Sequence, residues 1–255
     1  MNGGMALLAG FWGLVGGSAL VIGAVIGWYV ALPQRLIAGV MAAGAGVLIS
    51  AVAFDLMDEA FTRGGFAATA IGFGGGAAAY TVANLLLSRR GARHRKRSGS
   101  AAQARQAGAG SGAGLAIAIG ALLDGIPESV VIGVGLLEGA GVSAAMVAAV
   151  FLSNVPEGLS SAAGMKAAGR SARYVFGVWV AIALASGLAA MVGYQALAGA
   201  PEEAVAAITA VAAGAILAML VDTMIPEATE GTHEYSGLIA TTGFLAAFAL
   251  SKLAA

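Results

Sequence analysis

Six acidic side chains stand within or at the ends of strongly apolar stretches: Asp55, Asp124, Glu128, Glu157, Asp222 and Glu227. A carboxylate at the centre of a bilayer costs about 2.5–3.5 kcal/mol on insertion scales, so several in one chain need a compensating role. Their surroundings repeat. Asp124-Gly125-Ile126-Pro127-Glu128-Ser129, Ser153-Asn154-Val155-Pro156-Glu157-Gly158 and Asp222-Thr223-Met224-Ile225-Pro226-Glu227-Ala228 each set a polar residue about one helical turn before a Pro-Glu pair. Asp55-Leu56-Met57-Asp58-Glu59-Ala60 is a degenerate copy with Asp in place of Pro.

On a helix, residues i and i+4 share one face. Asp124 with Glu128, and Ser153 with Glu157, therefore present two oxygen-bearing groups each from adjacent turns. The intervening proline has no N–H and releases the carbonyl four residues back, here at Leu123 and Leu152. Released backbone at membrane depth is tolerated where it lines a cavity or is buried in protein. Carboxylates, the Asn154 amide and free carbonyls compose a cation site. The candidate metal ligands are Asp124, Glu128, Ser153, Asn154 and Glu157, with Asp55, Asp222 and Glu227 as weaker positions along a pathway. Carboxylates gathered at one site hold protons when no cation is there, so metal entry would displace protons.

The elements that must carry these residues follow from composition. Of 255 residues 59% are hydrophobic and only 10% charged, and the mean hydropathy is +0.89. Typical soluble chains carry about 25% charged residues, so a soluble globule, a disordered chain and a nucleic-acid binder are excluded. The forty glycines suit closely packed transmembrane helices. No cysteine is present, which removes disulfides, thiolate ligands and cysteine nucleophiles. A span needs about 20 apolar residues, and that window predicts eight: 6–32, 36–57, 65–87, 112–137, 142–165, 174–198, 205–228 and 237–254. Leu32-Pro33 closes the first. Trp12 and Trp28-Tyr29 lie about 24 Å apart at 1.5 Å per residue, a spacing for two interfacial anchors. Residues 1–5 carry no cationic signal-peptide region, so the first span is expected to be retained.

With the N-terminus outside, Arg35, Arg89, Arg90, Arg93, Arg95, Lys96, Arg97, Arg105, Lys166, Arg170 and Arg173 all face the cytoplasm. Only Arg63 and Lys252 remain outside. The positive-inside rule then places both termini outside, in a bacterial inner or plasma membrane. The chain reads as one transmembrane domain over 1–255, with a disordered, basic cytoplasmic loop over 88–111 that touches anionic lipid headgroups. Asp124 and Ser153-Asn154 fall near the bilayer midplane, Asp55 near the outer face and Glu227 near the inner one. The acids trace a line across the membrane.

Each of these residues also has a plainer reading. Glu128 and Glu157 could be protonated acids that hydrogen-bond helices together, and Asp55 and Asp222 could serve helix packing or the interface. Asp58, Glu59, Glu138, Glu202 and Glu203 read as solvated outer-loop acids, and Glu230 and Glu234 as cytoplasmic-loop acids. His94 and His233 read as loop histidines, His233 with a weak exit-side alternative. Met57, Met146, Met165 and Met224 read as packing residues rather than soft ligands.

Taken together the motifs resemble the ZIP (Zrt-, Irt-like) divalent-metal transporters, over nearly the whole chain. The likeness rests on the order of four segments: Val52-Ala53-Phe54-Asp55 through Glu59-Ala60, the two Pro-Glu motifs of spans four and five, and Leu220-Val221-Asp222-Thr223-Met224-Ile225-Pro226-Glu227. The resemblance implies an all-α bundle of eight transmembrane helices in which spans one to three and six to eight form an inverted repeat around spans four and five. It also implies that Glu128 and Glu157 match the family's carboxylate ligands and that Asn154 matches a polar second-site position. Asp124 and Ser153 stand where the family commonly has His, Gly125 replaces an Asn, and no span contains a histidine. This is a divergent member by that reading, with a donor set of hard oxygens of the kind that suits Mn²⁺ or Mg²⁺.

The expected function is transport of zinc, manganese, iron or a similar divalent cation toward the cytoplasm, by exposing a midplane site alternately to each side. The cation is the cargo; no prosthetic group and no enzymatic activity are expected. Expected partners are membrane lipids, the cation and a second copy in a homodimer, whose interface the Gly/Ala-rich faces of spans three and six would suit; nucleic acid is not among them. Two rivals stand beside this. One is a membrane metal sensor or scaffold that binds without translocating. The other is an intramembrane acid-dependent hydrolase, weakened by the absence of a Gly-x-Ser-x-Gly elbow or a His-Glu-x-x-His run.

Overall fold

The structure is a computed structural model that describes residues 2–89, 113–137 and 144–254. Most of the expected basic loop, His94 and Glu138 lie outside the described residues, as does the side chain of His233. Among the described residues every regular element is helical. Helix α1 spans Asn2–Tyr29, α2 Gln34–Ala51, α3 Met57–Leu87, α4 Ala113–Val134 and α5 Ala144–Ala167. They are followed by α6 Ala172–Leu197, α7 Glu202–Met219, α8 Ile225–Thr232 and α9 Ser236–Ala254. A π-helical turn, Val52–Leu56, joins α2 to α3, and a second, Leu220–Met224, joins α7 to α8. Runs that cross these turns without a break leave seven continuous helices among the described residues. Five of the runs are long and apolar enough to cross a membrane: Gly3–Tyr29, Gln34–Leu87, Ala172–Leu197, Glu202–Glu230 and Ser236–Leu253. The chain is thus of integral-membrane type.

Two expected loops are helical instead, which corrects the sequence reading. Asp58 and Glu59 lie in the first turn of α3, where no proline or glycine interrupts the run until Gly64-Gly65. Glu59 pairs there with Arg63 at 3.2 Å, an i, i+4 contact that favours helix. The backbone breaks only at Gly65, with φ 67° and ψ −179°, a conformation that glycine reaches without a Cβ penalty. The second and third expected spans are therefore one bent run. Likewise Glu230 lies inside α8, and a 3₁₀ turn, His233–Tyr235, passes directly into α9, so the expected seventh-to-eighth loop is nearly absent. Leu32-Pro33 does stop a helix: α1 ends at Tyr29, and Pro33, at φ −60° and ψ 140°, precedes α2.

Glycine seams draw the helices together. A Cβ on Gly46 would stand 1.8 Å from the Ala240 carbonyl oxygen, and one on Gly243 2.1 Å from that of Ala43, so α2 and α9 touch backbone to backbone. The same relation joins α3 to α7, through Gly76 at 1.9 Å from the Val211 oxygen and Gly214 at 1.9 Å from the Phe73 oxygen. Gly23 and Gly158 do this for α1 and α5, and Gly133 for α4 and α6. Backbones this close gain dispersion contacts that lipid tails do not match. Within the bundle, Met41, Leu48, Val131, Ile132, Val150, Ile216 and Met219 pack in one apolar cluster, with Leu20, Met165, Trp179 and Ile182 in a second.

Candidate metal centre

Helices α4 and α5 run unbroken through Pro127 and Pro156. Each turns one face outward, with Ile126 and Leu152 exposed, and buries its polar face. Asp124 and Glu128 are both 1% exposed, Glu157 is 3% and Glu227 0%. Ser153, Asn154 and Ser160 are also buried. All five residues expected as ligands lie inside the protein and away from lipid, and they fall on different neighbours.

On α4, Asp124 accepts a hydrogen bond of 2.7 Å from the Tyr80 hydroxyl of α3. One turn further along α3, Asn84 donates to Asp222 at 3.2 Å. The opposite side of α4 meets α6, where the position of Gly125 faces Ser186 and Ile182. On α5, the face holding Ser153 and Pro156 lies against Gly44 of α2 and Met224. A turn below Glu157 on α5, Ser160 donates to Glu227 at 3.0 Å, and Gln34 reaches the same carboxylate oxygen at 3.3 Å. Glu227 is thus held between α2, α5 and α8. Ser153 donates to the Val150 carbonyl at 2.9 Å, and Asn154 to the Gly16 carbonyl of α1 at 3.0 Å. Asn154 therefore spends its amide nitrogen on α1 and keeps its amide oxygen as an acceptor.

Of the three positions expected along a pathway, Asp55 and Asp222 sit on the two π turns. Asp55 lies on the first π turn, half-buried, and accepts from Ser251 of α9 at 2.7 Å. Asp222 lies on the second π turn, exposed apart from its Asn84 contact. Single π turns inside α-helices recur at functional sites, and each of these presents an aspartate to the neighbouring helix that runs beside it. Among the described residues no three His, Asp or Glu side chains converge closely enough to hold a metal ion. A cation bound here would have to take part of its shell from Asn154, Ser153, backbone carbonyls or water. These donors, with the carboxylates, compose the oxygen-only set that hard cations accept.

Sequence reasoning missed Tyr80, Asn84, Ser160, Gln34 and Ser251 as partners of the acids. The signal was available for two of them: Tyr80 and Asn84 are polar, four residues apart and set in an otherwise apolar run. No protein-family model matches the chain, and no curated protein matches it.

Proposed function

We propose that this protein carries a divalent cation across the membrane, toward the cytoplasm, through a site shared by α4 and α5. The observation that carries the reading is the burial of Asp124, Glu128 and Glu157 on helices that also bury Ser153 and Asn154. Charged oxygens are expensive at such depth unless a positive partner visits them. Zinc, manganese, iron or a similar ion is the cargo, and Asp55, Asp222 and Glu227 lie along its way in and out. The ZIP-like reading belongs to this proposal.

The helix pairings fit the eight-span inverted repeat of that reading. With the bent run divided at Gly65, α2 lies beside α9 and the second part of α3 beside α7. Helix α1 lies beside α5, and α4 beside α6. Exchanging the first three spans with the last three, and α4 with α5, maps each of these pairs onto the other, and maps one π turn with its Asp onto the other. Helices α1 and α6 are antiparallel, since Gly10 faces Gly187 and Met191 while Gly17 faces Ala183. A repeat of that kind places both ends of the pathway in equivalent settings and is the architecture of alternating access.

A second reading, a sensor that binds without translocating, draws on the absence of any three-acid group among the described residues. One experiment separates the two. Radiolabelled Zn²⁺, Mn²⁺, Fe²⁺, Co²⁺ or Cd²⁺ is offered to proteoliposomes of wild type and Glu157→Ala. Uptake by wild type that Glu157→Ala loses supports transport through this site. Binding without uptake supports the sensor, and equal uptake by both proteins overturns the site.

A further inference from the structure

The basic end of the bundle carries a feature that cation transport does not use. Lys166 closes α5 and donates to the Trp28 carbonyl at the end of α1, with its ammonium 5.5 Å from the Trp28 ring. Arg170 lies 5.5 Å from the Tyr174 ring, and Phe176 stacks on Tyr29. Helix α6 starts here, its first turn capped by Ser171, which accepts from the Tyr174 N–H at 3.3 Å. Among the described residues no carboxylate pairs with Lys166, Arg170 or Arg173.

From Arg173 a groove of 410 Å³ runs along α6 toward the middle of the membrane, lined by Tyr174, Gly177, Ala181, Ala185 and, from α4, Leu122. Its volume lies within the range of about 300–1,000 Å³ usual for small-molecule sites. It exists because α4 and α6 splay. At Gly133 a Cβ would stand 2.2 Å from the Ala190 oxygen, whereas at Gly125 the nearest atom is 3.8 Å away and at Gly177 nothing lies within 4 Å. The counterpart pair in the other half, α1 and α5, stays closed along its length: Gly23 would stand 2.1 Å from the Val155 oxygen and Gly27 2.4 Å from that of Leu159. An opening found at one of two like helix pairs, and placed under an arginine that no described carboxylate pairs with, is a site.

We propose that this groove binds an anionic phospholipid, with one acyl chain between α4 and α6 and the phosphate at Arg173 and Arg170. The groove wall supplies apolar area, the α6 N-terminus favours negative charge, and the aromatic rings sit where headgroups meet acyl chains. The proposal does not depend on the identity of any transported ion.

Native mass spectrometry of the full chain in detergent, offered phosphatidylglycerol and phosphatidylcholine with identical acyl chains, tests it. Basic residues near the headgroup favour anionic lipid by about fivefold each. Wild type should retain phosphatidylglycerol over phosphatidylcholine by at least that factor. Arg173→Gln should lose about fivefold of the preference, Arg35→Gln none of it, and Ala181→Leu should lower retention of both lipids. Equal retention of the two lipids by wild type, or full preference in Arg173→Gln, overturns the site. Should Ala181→Leu not assemble, phosphatidylglycerol with a photoreactive acyl chain decides on wild type. Labelling concentrated on Leu122 and residues 173–185 supports the groove, and labelling spread evenly over α1, α3 and α9 overturns it.

Discussion

Helices α4 and α5 carry the same Pro-Glu pair one turn after a polar residue and use it differently. On α4 two acids stand one turn apart, and Asp124 is tied to Tyr80 of the neighbouring α3. On α5 the first acid is replaced by Ser153, and Asn154 is diverted to the Gly16 carbonyl of α1. The α5 polar face then continues through Ser160 to Glu227. One helix sets two acids together, and the other leads from Ser153 through Ser160 to the first turn of α8. The lesson is that a repeated motif fixes which face is polar, while the packing partners decide what each polar atom can still do.

That contrast can be broken by exchange. Glu128→Gln and Glu157→Gln each keep the volume and remove a charged donor. Loss of an outer partner alone costs about 10–100-fold in metal affinity, so loss of a direct ligand should lower uptake by about 100-fold or more. Initial rates in proteoliposomes, with monodispersity checked by size exclusion, measure this. If only one of the two variants is affected, the shared site is wrong and a single helix holds the ion. Asn154→Ala acts on packing: it strips the donor from a buried carbonyl and should lower stability by about 1–3 kcal/mol, read as thermal unfolding in detergent. Asn154→Gln, which restores an amide at the wrong length, should recover little of it.

Tyr80→Phe sharpens the α4 side. Removing the hydroxyl takes one hydrogen-bond donor from Asp124, and the apparent cation affinity should change by about tenfold, as for a partner outside the ligand shell, while folding is retained. An unchanged affinity would detach Asp124 from the ion. Ser160→Ala is the mildest of the set. It removes one of the two described hydrogen bonds to Glu227, with Gln34 left in place, and should cost about 0.5–1.5 kcal/mol of stability, with uptake reduced by a few-fold at most.

Much of the fold was legible because lipid imposes a simple code. Apolar windows marked every helical run, and Leu32-Pro33 gave a true boundary. The missed boundaries have local causes. Between Leu56 and Gly64 the chain is Met-Asp-Glu-Ala-Phe-Thr-Arg, which favours helix despite its charge, so the bend waits for Gly65. At 230–235 the polar residues are likewise helical, because polarity alone does not break a helix that lacks proline. For the candidate site, the i, i+4 rule puts Asp124 with Glu128, and Ser153 with Glu157, on one helix face each, and all four side chains are buried. It could not show that Asn154 points to α1 or that Tyr80 meets Asp124, because those contacts join residues 138 and 44 positions apart. Sequence spacing carries no information at such range.

The central claim is that Glu128 and Glu157 close on one ion, although no three acids converge among the described residues. Crystals or oriented samples of the full chain loaded with Cd²⁺ test it through anomalous scattering of the metal. The account predicts one dominant peak within the bundle, at a bonding distance of about 2.3–2.6 Å from a carboxylate oxygen of each residue. A peak bound to one helix alone, or peaks confined to Asp58, Glu202, Glu230 and other acids at the ends of the helices, would contradict it.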